Sequence, residues 1–116
     1  EATALITNPT HFAIALKYNV GESSAPIVIA KGRGKVAEKI IKKSKEIGLG
    51  KLESPLLARA LYFTCEINNE IISKLYNAVA IALAYIYKMN NGEKLEEPVI
   101  ELPNELIFDE FGNNND

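Results

Sequence analysis

Two short apolar runs, residues 2–7 and 12–18, stand either side of Asn8-Pro9-Thr10-His11. Pro9 has no backbone N–H and a fixed φ, so it cannot continue a hydrogen-bonded ladder between them. Asn followed by Pro opens a turn well, with Asn at the first position and Pro at the second. It also starts a helix well, with Asn as N-cap and Pro at the first helical position. Either way the first strand-like run ends at this dipeptide.

The same dipeptide carries a chemical possibility. The backbone nitrogen after an Asn usually attacks the side-chain amide and deamidates it. The nitrogen of Pro9 is fully substituted, which closes that route. The reverse attack stays open: the Asn8 side-chain nitrogen reaches its own main-chain carbonyl, forms a succinimide and expels Pro9. The result is a chain cut between Asn8 and Pro9, without water in the first step. On the dipeptide alone, a turn or cap is the commoner reading. Asn8-Pro9-Thr10 has the outline of a glycosylation sequon, but its central proline excludes that modification.

Composition removes several other classes of function. The 116 residues form one domain, and 47% hydrophobic with 24% charged residues is enough for a core without staples. Cys65 is the only cysteine and His11 the only histidine. That leaves no disulfide framework, argues against most metal and triad chemistry, fits a reducing compartment and implies no cofactor. The net charge is −2, unevenly spread. Residues 31–51 hold eight basic and two acidic side chains, and residues 93–116 hold eight acidic ones against Lys94. The basic stretch lacks the interleaved aromatics of single-strand binders, so no nucleic-acid partner is expected. The uncharged apolar stretch of residues 75–87 is too short to span a bilayer. No signal-peptide pattern is read in these residues, and the start at Glu1 suggests a fragment or a processed chain.

Further along, Ile27-Val28-Ile29-Ala30 reads as a buried strand. Residues 35–47 have helical spacing, with Val36, Ala37, Ile40, Ile41 and Ile47 on one face and Lys39, Lys42, Lys43 and Lys45 pointing away. Gly48 ends that helix. Lys51-Leu52-Glu53 is a fourth, short strand. Ser54-Pro55 starts a helix over residues 56–65. A last helix spans about residues 72–89, apolar on most faces and so placed centrally, and ends at Asn91-Gly92. Residues 1–92 form the domain. Residues 93–116 form an acidic tail, largely mobile, in which Val99-Ile100 and Leu106-Ile107-Phe108 are candidates for docking. The order strand, strand, strand, helix, strand, helix, helix indicates a small α/β domain with its sheet covered by helices.

A rival motif lies at Gly32-Arg33-Gly34-Lys35-Val36-Ala37, which fits GxGxxA between a strand and a helix, with Glu53 about twenty residues on. Lys31, Arg33 and Lys35 suit phosphates at a helix N-terminus. The alternative function is therefore a small phosphate- or nucleotide-binding α/β module centred on Gly32 to Lys35. Against it, the second half of a doubly wound sheet is missing, and a strand-to-helix turn explains both glycines.

Several ordered segments together are more specific. Thr7-Asn8-Pro9-Thr10-His11-Phe12-Ala13-Ile14-Ala15-Leu16-Lys17-Tyr18 resembles the autocleavage region of the FlhB/YscU export-switch family of type III secretion. The likeness continues through Ser24-Ala25-Pro26-Ile27-Val28-Ile29-Ala30-Lys31-Gly32, Pro55-Leu56-Leu57-Ala58-Arg59-Ala60-Leu61-Tyr62, Leu75-Tyr76-Asn77-Ala78-Val79-Ala80 and Leu83-Ala84-Tyr85. The Ala25 to Gly32 stretch is closer to the flagellar branch. Asn68-Asn69-Glu70-Ile71-Ile72 departs from the pattern, lacking a proline the family often has before the last helix.

The resemblance implies a small mixed sheet of about four strands surrounded by about four helices. It implies self-cleavage between Asn8 and Pro9, and a role in switching export from hook or rod components to filament components. It also implies a missing N-terminal transmembrane half, which would place this domain at the cytoplasmic face of the bacterial inner membrane. The partners it implies are other export-apparatus proteins, export substrates and the hook-length ruler protein.

The chemistry expected is a single intramolecular event, not turnover. Asn8 supplies the nucleophile and the electrophilic carbonyl, and Pro9 is the leaving amine. Thr10 shapes the turn or hydrogen-bonds a carbonyl. His11 is a candidate base, although a lone histidine beside a turn is more often structural. Turn strain of about 1–3 kcal/mol is worth a factor of about ten to a hundred, and a base roughly 10²–10⁴-fold.

Overall fold

The computed structural model describes residues 2–9, 11–19, 21 and 24–114. Thr10, assigned a part in the turn above, lies outside the described residues. The elements follow the expected order: β1 (Ala2–Asn8), β2 (Phe12–Tyr18), β3 (Ile27–Arg33), α1 (Lys35–Glu46), β4 (Gly50–Glu53), α2 (Pro55–Thr64) and α3 (Tyr76–Asn90). Two single 3-10 turns, Ser73–Leu75 and Asn104–Leu106, accompany the three α-helices. The four strands form one mixed sheet in the order β3-β2-β1-β4. β1 pairs antiparallel with β2 and parallel with β4, and β2 pairs antiparallel with β3.

The alternation of the strands builds two cores. Ala4 and Ile6 of β1 and Phe12, Ile14 and Leu16 of β2 face one way, against α2 and α3. Leu5, Ala13 and Ala15 face the other way, against Ala37, Ile40 and Ile41 of α1. The small alanines on this second face let α1 sit close to the sheet. β1 and β2 are thus each covered on both faces and bonded on both edges.

Local chemistry explains most boundaries. α1 stops at Gly48, whose φ of 72° is costly for any residue with a Cβ. Gly48 N–H donates to Lys45 O and Leu49 N–H to Ser44 O, the two bonds of a Schellman stop. α2 opens at Ser54-Pro55 as expected, yet Ser54 makes no side-chain cap bond.

Two helix faces differ from the sequence reading. The buried stripe of α1 is Ala37, Ile40, Ile41 and Ser44, whose hydroxyl is satisfied by Ile41 O at 2.7 Å. Val36 and Ile47 lie mostly exposed. α3 is not central: Val79, Ala82, Leu83 and Ile86 are buried, but Tyr76, Ile81 and Tyr87 are exposed. A helix packed on one side of a three-layer domain keeps a wet face, however apolar its sequence.

Gly32 also differs. It sits inside β3, opposite Ala13, and not in a flexible turn. A Cβ there would lie 2.3 Å from Val36 Cγ1 and 3.1 Å from Ala37 N. Gly32→Ala is expected to cost about 1–3 kcal/mol through overpacking, with partial recovery in Gly32→Ala/Val36→Ala, both read from urea unfolding midpoints.

Residues 93–114 form no α-helix or strand, but Ile100 and Leu106 are buried in the α2–α3 core. Phe108 packs against it, in ring contact with Phe63 at 5.7 Å.

Candidate cleavage turn

Asn8 is the last residue of β1 and Phe12, its partner in the ladder, the first of β2. The intervening residues therefore close a hairpin at one end of the sheet. His11 N–H donates to Asn8 O at 2.9 Å, the bond expected across a β-turn that starts at Asn. Asn8 is half-buried, while Pro9 and His11 are exposed. The structure thus brings Asn8, Pro9 and His11 together in one turn.

The turn is held from outside by two main-chain bonds. Ser54 N–H, at the entry to α2, donates to Thr7 O at 2.8 Å. Gly34 N–H, at the entry to α1, donates to His11 O at 2.9 Å. Both legs of the hairpin are therefore tied to helix starts on neighbouring strands, one through β4–α2 and one through β3–α1. Below the turn Phe12 is buried, edge-on to Tyr62 at 5.1 Å and to Phe63 at 5.7 Å. The guanidinium of Arg33, opposite Phe12 in the ladder, lies over its ring at 5.1 Å.

From sequence, Ser54 reads as a helix start and Gly34 as part of the glycine-rich motif, but neither is given a part in the turn. They act through main-chain N–H groups, which leave no side-chain signature. Among the described residues Asn68 is the non-glycine with positive φ, so Asn8, Pro9 and His11 carry no left-handed backbone.

The phosphate-binding reading of Gly32 to Lys35 does not survive the topology. Gly32 lies on the β3 edge of the sheet and Glu53 on the β4 edge, with two strands between them. A dinucleotide fingerprint needs both beside one parallel crossover. Gly34 N–H is already spent on His11 O, and Lys31 Nζ reaches Tyr62 O and Cys65 O at 2.9 and 2.8 Å. This segment serves the hairpin.

A cleft of about 440 Å³ lies between α3 and the segment after β2, lined by Tyr18, Pro26, Tyr76, Leu83 and Tyr87 among others. Burial, and then Tyr87, pushes the Tyr18 hydroxyl above its ordinary pKa. Tyr18 is at the far end of β2 from Phe12, about 20 Å away at strand rise. The turn is a surface feature remote from this cleft. No helix among the described residues is long and apolar enough to cross a membrane.

Comparison with known proteins agrees with the fold. A model of the FlhB HrpN YscU SpaS family matches residues 1–86. The flagellar biosynthetic protein FlhB of Aquifex aeolicus is 49% identical over 86 residues, which is 74% of this chain and 25% of that protein. The chain therefore spans about a quarter of that relative's length. Among solved structures, the cytoplasmic domain of FlhB from Shewanella putrefaciens superposes with a TM-score of 0.77 at 37% identity, covering 90% of this chain and 85% of that one. An asparagine-to-alanine variant of the EscU C-terminal domain superposes at 0.68 with 32% identity, covering 73% and 85%. With the family pattern running through the turn, the sheet and α2, this chain belongs to the FlhB/YscU family of flagellar and type III export proteins.

Proposed function

We propose that this domain cuts itself once, between Asn8 and Pro9, and that the cut changes the surface by which an export apparatus selects its substrates. The observation that carries the reading is the Asn8–His11 turn, closed by a main-chain bond and tied at both flanks. The Asn8 side-chain nitrogen attacks the Asn8 carbonyl carbon, the bond to the Pro9 nitrogen breaks, and Pro9 leaves as a secondary amine after taking up a proton. The fold contributes proximity, by limiting the conformations of a turn anchored at Thr7 and His11.

The bond from His11 N–H to Asn8 O adds polarisation. It points at the oxygen on which negative charge develops as the nitrogen adds. One exposed neutral hydrogen bond is worth about 0.5–1.5 kcal/mol, or up to about a factor of ten in rate. His11 thus contributes through its backbone, and its exposed imidazole is the weaker candidate. Water later opens the succinimide.

The severed piece stays in place. Leu5 and Ile6 are fully buried, worth about 1.5–3 kcal/mol each, and β1 is paired with β2 along its length and with β4 from Ala4 to Thr7. Cleavage therefore remodels a surface turn while the sheet persists. In a longer protein, this domain would stand at the cytoplasmic face of the inner membrane and meet other export-apparatus proteins, export substrates and the length-ruler protein.

Mass spectrometry of the purified protein under denaturing conditions tests the reading. Two species are expected, residues 1–8 and 9–116. One species of full mass after prolonged incubation contradicts it.

A further inference from the structure

The end of the domain that carries the turn is also covered by residues from the far C-terminus. Arg59 Nε donates to Phe108 O at 2.7 Å, and Arg33 Nη2 donates to Glu110 O at 2.9 Å. Phe108 lies on Phe63, which lies on Phe12. Gly112, with a φ of 84°, passes so close to Phe63 that a Cβ would stand 2.8 Å from its ring. The segment is internally braced: Asp109 Oδ1 accepts the N–H groups of Phe111 and Asn113, and the Asn114 amide donates to Asn104 O and Ile107 O. Arg33 is thus shared, its guanidinium over Phe12 on one side and bonded to residue 110 on the other.

We propose that residues 107–114 are a strap that governs how far the new Pro9 end opens after the cut. This rests on the cleavage reading above. With the strap seated, Phe12 is held down through Phe63 and Arg33, and the freed end is limited to the few residues before it. With the strap lifted, the Phe12–Tyr62–Phe63 cluster is uncovered beside the cut and the start of β2 frays. The strap bonds to Arg33 and Arg59 and lies on Phe63, reaching Phe12 only through Phe63 and Arg33, so it acts after the bond breaks and leaves the cleavage rate unchanged.

The test compares amide exchange by NMR in the full chain and in a chain ending at Leu106, each in the natural sequence and with Asn8→Ala. The reporter is the Gly34 amide, bonded to His11 O. Removing the strap is expected to speed its exchange roughly tenfold in the cut chain, less in the uncut Asn8→Ala chain, with amides of β1 and α3 unaffected. Gly112→Ala, which pushes the segment off Phe63, is expected to do the same if the shortened chain fails to fold. Unchanged Gly34 exchange in the cut chain overturns the strap, as does a cleavage rate that changes with it. If the natural chain proves uncut, the cleavage reading falls separately. The strap as a cover is then judged on the Asn8→Ala pair, where unchanged exchange overturns it.

Discussion

Asn8→Ala is expected to remain a single chain indefinitely, with the fold of the natural protein. A methyl group has no nitrogen to attack the carbonyl, so the loss is total and not graded. Nothing in the packing opposes the change: Asn8 is half-buried at the end of β1, and its carbonyl keeps the bond from His11 N–H. Circular dichroism and the urea midpoint should stay close to those of the natural chain, while the denatured mass moves from two pieces to one. A variant that still splits at that bond removes the succinimide route.

Phe12→Ala is expected to be the most destabilising single change near the turn, by about 3–5 kcal/mol. Phe12 is 1% exposed and meets Tyr62 and Phe63 edge-on, with Arg33 over its face. Truncation leaves a cavity under the hairpin and removes contacts of about 0.5–1.5 kcal/mol for each aromatic pair. Domains of this kind hold about 5–15 kcal/mol in all, so a large part of the stability goes. The urea midpoint should fall by roughly 2 M. Phe12→Leu keeps most of the volume and should lose less.

Much of this architecture is legible from the residues. The element order follows from alternating and helical spacing, and Gly48 and Ser54-Pro55 mark helix ends that the structure keeps. Asn8-Pro9 reads correctly as a turn because the constraint is local to proline. Long-range demands are less legible. Gly32 looks like half of a phosphate loop, but its missing side chain is required by Val36, a packing relation between β3 and α1. Glu53 looks like the acid of a fingerprint until the parallel pairing of β4 with β1 puts it on the opposite edge. Ser44 is invisible in an apolar pattern because its hydroxyl is satisfied within the helix. The groups that hold the turn are the N–H groups of Ser54, Gly34 and His11, and any residue but proline supplies one. The sequence therefore points to the residues proposed to react and is silent about what grips them.

The central claim is that the peptide bond after Asn8 is broken by the Asn8 side chain itself. The most direct measurement is the mass of the residue 1–8 piece in freshly cut protein. Cyclisation makes its C-terminus a succinimide first, so part of that piece should weigh one water less than the free peptide. That fraction should decline with time into a mixture ending in asparagine and isoasparagine. A piece that carries only an ordinary C-terminal asparagine from the earliest time point, with no dehydrated form and no isoasparagine, means that water cut the bond, and contradicts the account.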